Sequence, residues 1–127
     1  MKRKTFIMII ISVFFSVISL AAEEKEMGII NVDNEQAKNL IYENMENDEF
    51  IILDIRTPEE FKSLHIDSAV NLDFYSNTFI TDIDKLGKDK IYLVYCRSGR
   101  RSGITVNKMI EMGFKNIYHL HYGFMNW

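Results

Sequence analysis

The sequence predicts a single α/β domain in which helices cover both faces of a parallel sheet. Two observations carry this prediction. Short continuous apolar or aromatic runs stand at residues 50–53 and 91–95, as expected of strands buried on both faces. Segments with helical spacing of apolar residues separate such runs, and this alternation indicates a parallel sheet with crossover helices. No internal repeat or low-complexity linker divides the region, so one domain spans residues 23–127.

The segment before this domain, residues 1–22, is predicted to be a signal peptide. Three basic residues, Lys2 to Lys4, precede an apolar run over residues 6–20, and small residues at Ser19 and Ala21 form a cleavage site. This is the pattern of a secretory signal. The alternative is an uncleaved membrane anchor, because a spanning helix needs about 20 apolar residues. Either way we expect an exported, periplasmic or otherwise extracytoplasmic protein, with membrane contact only if the segment is retained.

The charge of the predicted mature domain indicates which partners it can attract. Three of the 15 basic residues lie in the signal segment and none of the 18 acidic ones does, so the remainder carries a net charge of −6. An acidic domain has no general attraction for nucleic acid or anionic membranes. No acidic residue stands between Lys90 and Lys108, where three arginines cluster. A local cationic stretch in an acidic domain favours a small anion as ligand.

In the first half of the domain, two helices are predicted on either side of a strand. Asp33 can cap the first helix while Gln36 reaches back to it, which is the reciprocal arrangement of a capping box. The apolar run at residues 50–53 is the first predicted strand. Thr57 and Glu60 repeat the capping-box spacing directly after it, so a second helix begins there.

The second half continues the alternation of strands and helices. Its apolar runs predict three strands, at residues 69–72, 91–95 and 116–120. One helix with apolar spacing lies over residues 79–86 and ends at Gly87, and another follows residue 102 and ends at Gly113, because glycine favours the end of a helix. Residues 122–127 are expected to form a terminal helical turn or loop.

The single cysteine, Cys96, lies between the strongest strand and the helix that follows it. At that position converging backbone N–H groups and the helix dipole can lower a thiol pKa from about 8.5 into the range of roughly 3.5–7.5. Arg97, Arg100 and Arg101 add positive charge, and Gly99 gives the loop conformational freedom. A buried structural cysteine is the alternative, but three neighbouring arginines would be costly to bury. We therefore expect Cys96 to be reactive.

Three ordered segments together resemble the rhodanese homology family. The cysteine loop over residues 94–102 is similar to the family's active-site loop. Residues 53–61 followed by His65 and Ile66 resemble its upstream signature, and residues 113–127 resemble its closing segment. The likeness covers essentially the whole predicted domain. The sequence departs from the family at Asp67 and Ser68, where Pro-Gly is common, and at Tyr122, where glycine is common.

The resemblance implies a rhodanese-like domain with a parallel sheet of about five strands and sulfurtransferase activity. Cys96 would take a sulfane sulfur from thiosulfate or a similar small anionic donor, and the resulting persulfide would pass it to a thiol, to cyanide or to a protein. Asp54 and Arg56 would support the site structurally. No cofactor is implied. The residues expected to bind the substrate are those of the loop: Arg97, Ser98, Gly99, Arg100, Arg101 and Ser102.

Two other functions remain open from the sequence. A cysteine phosphatase or arsenate reductase of the same fold would place arginine six positions after the cysteine, but Ser102 stands there and Arg101 comes one residue too early. A sulfur carrier or binding module with little thiosulfate turnover is compatible with the same loop. His119 and His121 could share a strand face as metal ligands. Without another ligand type nearby, we expect core or surface histidines and no metal site.

Overall fold

A computed structural model describes residues 28–127, which form one sheet of five parallel strands flanked by helices. The predicted fold class is thereby confirmed. The predicted signal segment, residues 1–22, lies outside the described residues, and export stays a prediction. Between residues 28 and 127 no helix is long and apolar enough to cross a membrane. The strands follow the spatial order β1-β5-β4-β2-β3, with bounds β1 Gly28–Val32, β2 Phe50–Asp54, β3 Val70–Asn71, β4 Ile91–Tyr95 and β5 Asn116–Leu120.

Both predicted capping boxes are present at the helix starts. The Asp33 carboxylate accepts a hydrogen bond from the Gln36 backbone N–H at 2.8 Å, and the Gln36 side chain accepts from the Asp33 N–H at 2.9 Å. Thr57 and Glu60 form the same reciprocal pair. These bonds satisfy N–H groups that the first turn of a helix leaves unpaired. The helices are α1 Asn34–Glu43, α2 Pro58–Ser63, α3 Phe79–Asp84 and α4 Arg100–Glu111, followed by a short 3₁₀ turn, Phe124–Asn126.

The sheet separates two apolar cores. On one face, residues of β2, β4 and β5 pack with α3 and α4, where Phe79, Ile83 and Met109 are buried. On the other face, Ala37 of α1 packs with Leu93 of β4 and with further buried residues. A strand with side chains buried on both faces cannot alternate polar and apolar residues, which explains the continuous apolar runs in β2 and β4.

The first strand, β1, was not anticipated from the sequence. It pairs in parallel with β5, Ile30 lying opposite Tyr118. As an edge strand it buries only Val32 fully, while Ile30 and Asn31 are exposed. Five residues with one buried side chain give neither an apolar run nor a clear alternation. Elsewhere Ser68, one of the two residues that stand where the family commonly has Pro-Gly, adopts a positive φ of 68°.

The register of the three central strands brings distant residues to one edge of the sheet. Asp54 at the end of β2 lies opposite Tyr95 at the end of β4, and His119 of β5 lies opposite Val94. The chain leaves β4 at Cys96, so the cysteine loop starts beside both neighbouring strands. In parallel α/β sheets, ligands bind beyond this carboxyl edge.

Candidate functional site

The sulfur of Cys96 lies at the centre of a ring of hydrogen-bond donors. The backbone N–H of Gly99 donates to Sγ at 3.1 Å and that of Ser102 at 3.4 Å. The Ser102 hydroxyl oxygen lies 3.3 Å from Sγ. Cys96 is fully buried, so these groups, rather than solvent, surround the sulfur. The predicted convergence of backbone N–H groups on Cys96 is present.

Two glycines allow this loop to curl against the C-terminal turn. Gly99 has a φ of 95°, and a Cβ there would collide with the carbonyl oxygen of His121. Gly123 has a φ of 76°, and a Cβ there would collide with the carbonyl of Arg97. Such positive φ values and close approaches are open to glycine and strained for other residues. The 3₁₀ turn also fixes the loop, because the Phe124 N–H donates to the Cys96 carbonyl at 2.9 Å.

The surroundings of Cys96 lower the pKa of its thiol below the ordinary value. Burial alone raises the pKa, because it penalises the charged thiolate. Hydrogen bonds from the Ser102 hydroxyl and from the backbone N–H groups of Ser102, Ser98 and Gly99 outweigh that effect and lower it. The loop therefore favours the thiolate, which is the nucleophilic form of cysteine.

The three arginines of the loop have different environments. Arg101 is buried and its guanidinium donates two hydrogen bonds to Glu60, at 3.0 and 3.2 Å. Arg100 is exposed and donates to the Tyr75 hydroxyl at 3.3 Å. Arg97 is exposed and lines a cavity of about 320 Å³ between α2 and the 3₁₀ turn. A role of each in binding a donor stays a prediction, and Arg97 and Arg100 are the two with solvent-facing charge.

Glu60 is a participant in the site that sequence reasoning placed only in a helix cap. Its Oε1 accepts from the Thr57 hydroxyl at 3.2 Å and also from Arg101. The hydrogen bonds from Arg101 hold the pKa of the Glu60 carboxyl below its usual value. Arg101 follows Glu60 by 41 positions in the chain, so spacing rules for a single helix cannot reveal the pair.

Asp54 and Arg56 form a buried ion pair beside the cysteine loop. The Arg56 guanidinium donates to the Asp54 carboxylate at 2.8 to 3.1 Å, and the Arg56 backbone N–H adds a bond at 2.9 Å. The Tyr95 hydroxyl donates to Asp54 Oδ2 at 2.6 Å and accepts from the Ile66 N–H at 3.1 Å. Every charged group in this cluster therefore has close partners.

Arg56 also connects this cluster to the cysteine loop. Its guanidinium carbon lies 4.3 Å from the ring centroid of Phe124, and Arg56 Nη2 donates to the Leu64 carbonyl at 2.6 Å. A guanidinium over an aromatic face is an attractive contact. Since the Phe124 N–H donates to the Cys96 carbonyl, a single residue, Phe124, connects the ion pair to Cys96.

His119, expected to be a core or surface histidine, is buried and contacts the site directly. Its Nε2 lies 2.7 Å from the Ser102 hydroxyl oxygen. His121 turns elsewhere, its Nδ1 lying 3.0 Å from the Val32 carbonyl oxygen. Residues 28–127 contain no group of three side chains suited to a metal ion. The signal for the His119 contact lies in strand order, because β5 neighbours β4, and strand order cannot be read from the motif alone.

The sequence is similar to those of known proteins over most of its length. The sequence profile of the rhodanese-like domain matches residues 37–127. Thiosulfate sulfurtransferase GlpE of Coxiella burnetii is 30% identical over 86 residues, covering 68% of this chain and 78% of that protein. Adenylyltransferase and sulfurtransferase UBA4 of Meyerozyma guilliermondii is 32% identical over 93 residues, covering 68% of this chain but 22% of that longer protein.

Solved structures support the same assignment of fold. A rhodanese-related protein of Thermoplasma volcanium superposes with a TM-score of 0.62, covering 77% of this chain and 89% of its own, at 23% identity. Its identity is low enough that this likeness speaks only to the fold. The profile match spans most of the chain and contains the cysteine loop. The chain therefore belongs to the rhodanese-like domain family.

Proposed function

We propose that this protein is a sulfurtransferase that carries a sulfane sulfur as a persulfide on Cys96. The observation that carries the proposal is the buried Cys96 sulfur, which accepts hydrogen bonds from the N–H groups of Gly99 and Ser102. Membership of the rhodanese-like family and the names of two sulfurtransferase relatives support it. Thiosulfate, or a donor of similar size and charge, is the proposed substrate.

The proposed reaction has two balanced steps. The Cys96 thiolate attacks the outer sulfur of thiosulfate, a new sulfur–sulfur bond forms, and the old one breaks so that sulfite leaves with its electron pair. A thiophilic acceptor (cyanide, a thiol or a protein) then attacks the terminal sulfur, and the thiolate is released. Such two-step covalent transfer is typical of an activated nucleophile. Donors already aimed at negative charge stabilise both the thiolate and the persulfide anion.

The charged residues around the loop have separate proposed roles. Arg97 and Arg100 are exposed beside the buried sulfur and would attract and hold the anionic donor. Arg101, bound to Glu60, would fix the start of α4. Asp54 and Arg56 would support the loop through Phe124. The arginines without a carboxylate partner among residues 28–127 are thus proposed to bind the sulfur donor, and those in ion pairs to support the structure of the site.

A protein acceptor is favoured by the apolar surface near the loop. Three exposed side chains adjoin it, Tyr75, Tyr122 and Met125, each at least 59% exposed. Tyr75 contacts Arg100, and the Met125 N–H donates to the Arg97 carbonyl. Apolar side chains with arginine are typical of protein-binding surfaces. A carrier that exchanges sulfur mainly with proteins therefore remains the second candidate.

The test is sulfur loading and turnover in matched variants. The protein is incubated with thiosulfate and analysed by intact mass, and thiocyanate formation is measured after cyanide is added. We expect one added sulfur atom and steady turnover in the unchanged protein. Cys96→Ser, which replaces only the sulfur, should show neither.

The outcomes separate the two candidates. Loading with slow turnover of thiosulfate, but fast transfer from a persulfidated protein, would favour the carrier. Equal turnover by Cys96→Ser and the unchanged protein would reject the proposed nucleophile. Hydrolysis of a phosphate ester without any sulfur loading would favour the phosphatase alternative.

A further inference from the structure

A chain of polar side chains extends from the Cys96 sulfur to the edge of the sheet. Sγ lies 3.3 Å from the Ser102 hydroxyl oxygen, which lies 2.7 Å from Nε2 of His119. His119 Nδ1 in turn lies 3.3 Å from the side-chain oxygen of Asn31 in β1. Cys96, Ser102 and His119 are all buried. This row of side chains therefore links the cysteine loop, α4, β5 and β1 through direct contacts.

The hydrogen-bond direction along this chain follows from the sulfur. Once Cys96 is ionised, its sulfur has no hydrogen to donate, so Sγ is the acceptor for the two backbone N–H groups and for the Ser102 hydroxyl. The Ser102 oxygen is then free to accept, and His119 supplies the hydrogen if Nε2 is the protonated ring nitrogen. Nδ1 is then an acceptor, so the Asn31 amide, whose oxygen faces Nδ1, has to make a half-turn that exchanges its oxygen and its NH₂ group.

We propose that His119 is a positioning residue that acts through Ser102 to direct a hydroxyl hydrogen onto the sulfur of Cys96. Without His119, the Ser102 hydroxyl can rotate toward other acceptors, and its hydrogen bond to the sulfur is weakened. The inference deepens the proposed function, since the same hydroxyl would stabilise the thiolate before attack and the persulfide after it. It adds a residue from β5 to the groups around the sulfur, which otherwise come from the cysteine loop and the start of α4.

The charges around His119 are consistent with a neutral ring. Burial, together with the nearby His121, lowers the pKa of His119 to about 4, so the ring stays neutral across the neutral range. Arg101 is the cation whose field reaches Cys96, and its own partner is Glu60. A neutral ring with a single N–H offers one donor to Ser102 without placing a positive charge beside the sulfur.

The main test measures the ionisation of the thiol without any sulfur donor. The rate of Cys96 alkylation by iodoacetamide is followed against pH to obtain the thiol pKa. Removing a hydrogen bond to a charged sulfur in Ser102→Ala should raise it by about one to two units. His119→Met fills similar space without a donor and should raise it by about 0.5–1 unit. His119→Gln, whose amide can donate to Ser102, should return the thiol pKa most of the way to that of the unchanged protein.

Two further variants make the result specific. His65→Met is the matched control, because His65 stacks on Phe61 at 3.7 Å and has no hydrogen bond to the loop; its thiol pKa should not move. The double variant Ser102→Ala with His119→Met should have the same thiol pKa as Ser102→Ala alone. Additive effects would contradict action through Ser102. An unmoved thiol pKa in a folded His119→Met protein with a lower melting temperature would make His119 a packing residue only.

A measurement on the unchanged protein covers the case in which the histidine variants do not fold. Nitrogen-15 NMR of His119 at pH 9, with the thiolate formed, identifies the protonated ring nitrogen. We expect hydrogen on Nε2; a lone pair on Nε2 overturns the inference. Neither experiment uses a sulfur donor, so failure here leaves the sulfur-transfer proposal standing. If the unchanged protein took up no sulfur but His119→Met still shifted the thiol pKa, the role of His119 would stand and the sulfur-transfer proposal would fail.

Discussion

The carboxyl ends of β2 and β4 lie at the same edge of the sheet, and each is next to a different buried acceptor. At the end of β2, the Asp54 carboxylate accepts hydrogen bonds from the charged guanidinium of Arg56 and from the hydroxyl of Tyr95. After β4, the Cys96 sulfur receives only backbone N–H groups and one hydroxyl. The one buried guanidinium of the loop, that of Arg101, is bound to Glu60.

This difference indicates a structural role for the Asp54 ion pair and a reactive role for the Cys96 sulfur. A buried carboxylate with a bidentate cation is held in one position, because breaking the pair leaves an uncompensated charge. Dipoles around Cys96 lower its pKa without a counter-ion that would have to be displaced when an anionic donor arrives. Changes after β2 should therefore act mainly on folding stability, and changes after β4 mainly on thiol chemistry.

The largest expected effect on stability comes from Asp54→Asn. The amide keeps the shape of the side chain but removes the charge that Arg56 pairs with in a buried site. Removing one partner of a buried ion pair costs about 3–5 kcal/mol. Urea denaturation at neutral pH should show this loss in the free energy of unfolding.

Tyr95→Phe is the matched control for this cluster. It removes a neutral donor to Asp54 Oδ2 and an acceptor for the Ile66 N–H, so the loss should be about 1–3 kcal/mol. Equal stability of Asp54→Asn and the unchanged protein would contradict a supporting role for the ion pair. A thiol pKa in Asp54→Asn that shifts as far as in Ser102→Ala would break the proposed division of roles.

Local sequence rules predicted most of the fold and the centre of the site. The capping boxes at Asp33 and Thr57 depend on residues three positions apart, and both are present. The order of strand, Cys96, arginines and helix placed Cys96 beside the N-terminus of α4. Each of these features is decided by neighbours in the chain, so one sequence is enough to find it.

The parts that were missed depend on contacts between distant segments. Ser102 and His119 are 17 positions apart, and Glu60 and Arg101 are 41 apart. Strand order and helix placement bring both pairs together, and neither is encoded in a short motif. The edge strand β1 reads Gly-Ile-Ile-Asn-Val, and Asn31 interrupts its apolar residues, so they form neither a long continuous run nor a strict alternation.

Gly123→Ala tests whether the C-terminal turn shapes the cysteine loop. Its φ of 76° disfavours a side chain, and the added Cβ would strike the Arg97 carbonyl. Strain and overpacking should together cost about 2–3 kcal/mol. Because Arg97 and Ser98 would be displaced, the N–H groups around the sulfur should lose alignment and the thiol pKa should rise. Denaturation and the pH dependence of alkylation measure the two effects on one sample.

Gly87→Ala is the matched control for this substitution. A Cβ at Gly87 would approach only the flexible side chain of Lys90, at 3.4 Å, far from the loop in sequence and in the fold. Its thiol pKa should equal that of the unchanged protein. If Gly123→Ala lost stability while its thiol kept the original pKa, the turn would support the domain without shaping the site.

The smallest expected effect comes from Glu60→Gln, which sharpens the comparison by releasing the charge of Arg101. Gln can still complete the cap of α2, so the change removes mainly the ion pair, worth about 1 kcal/mol or less at this half-exposed position. Because Arg101 lowers the folded-state pKa of Glu60 below 4.5, its stabilisation is present above that value and is lost as the pH falls through the lowered pKa. The stability difference between the two proteins should thus be full at pH 7 and shrink in strong acid.

In Glu60→Gln, the unpaired Arg101 should also act more strongly on Cys96 and lower its thiol pKa slightly. A stability difference that stays constant from neutral to acid pH, with an unmoved thiol pKa, would show that Glu60 does not set the charge that the sulfur experiences.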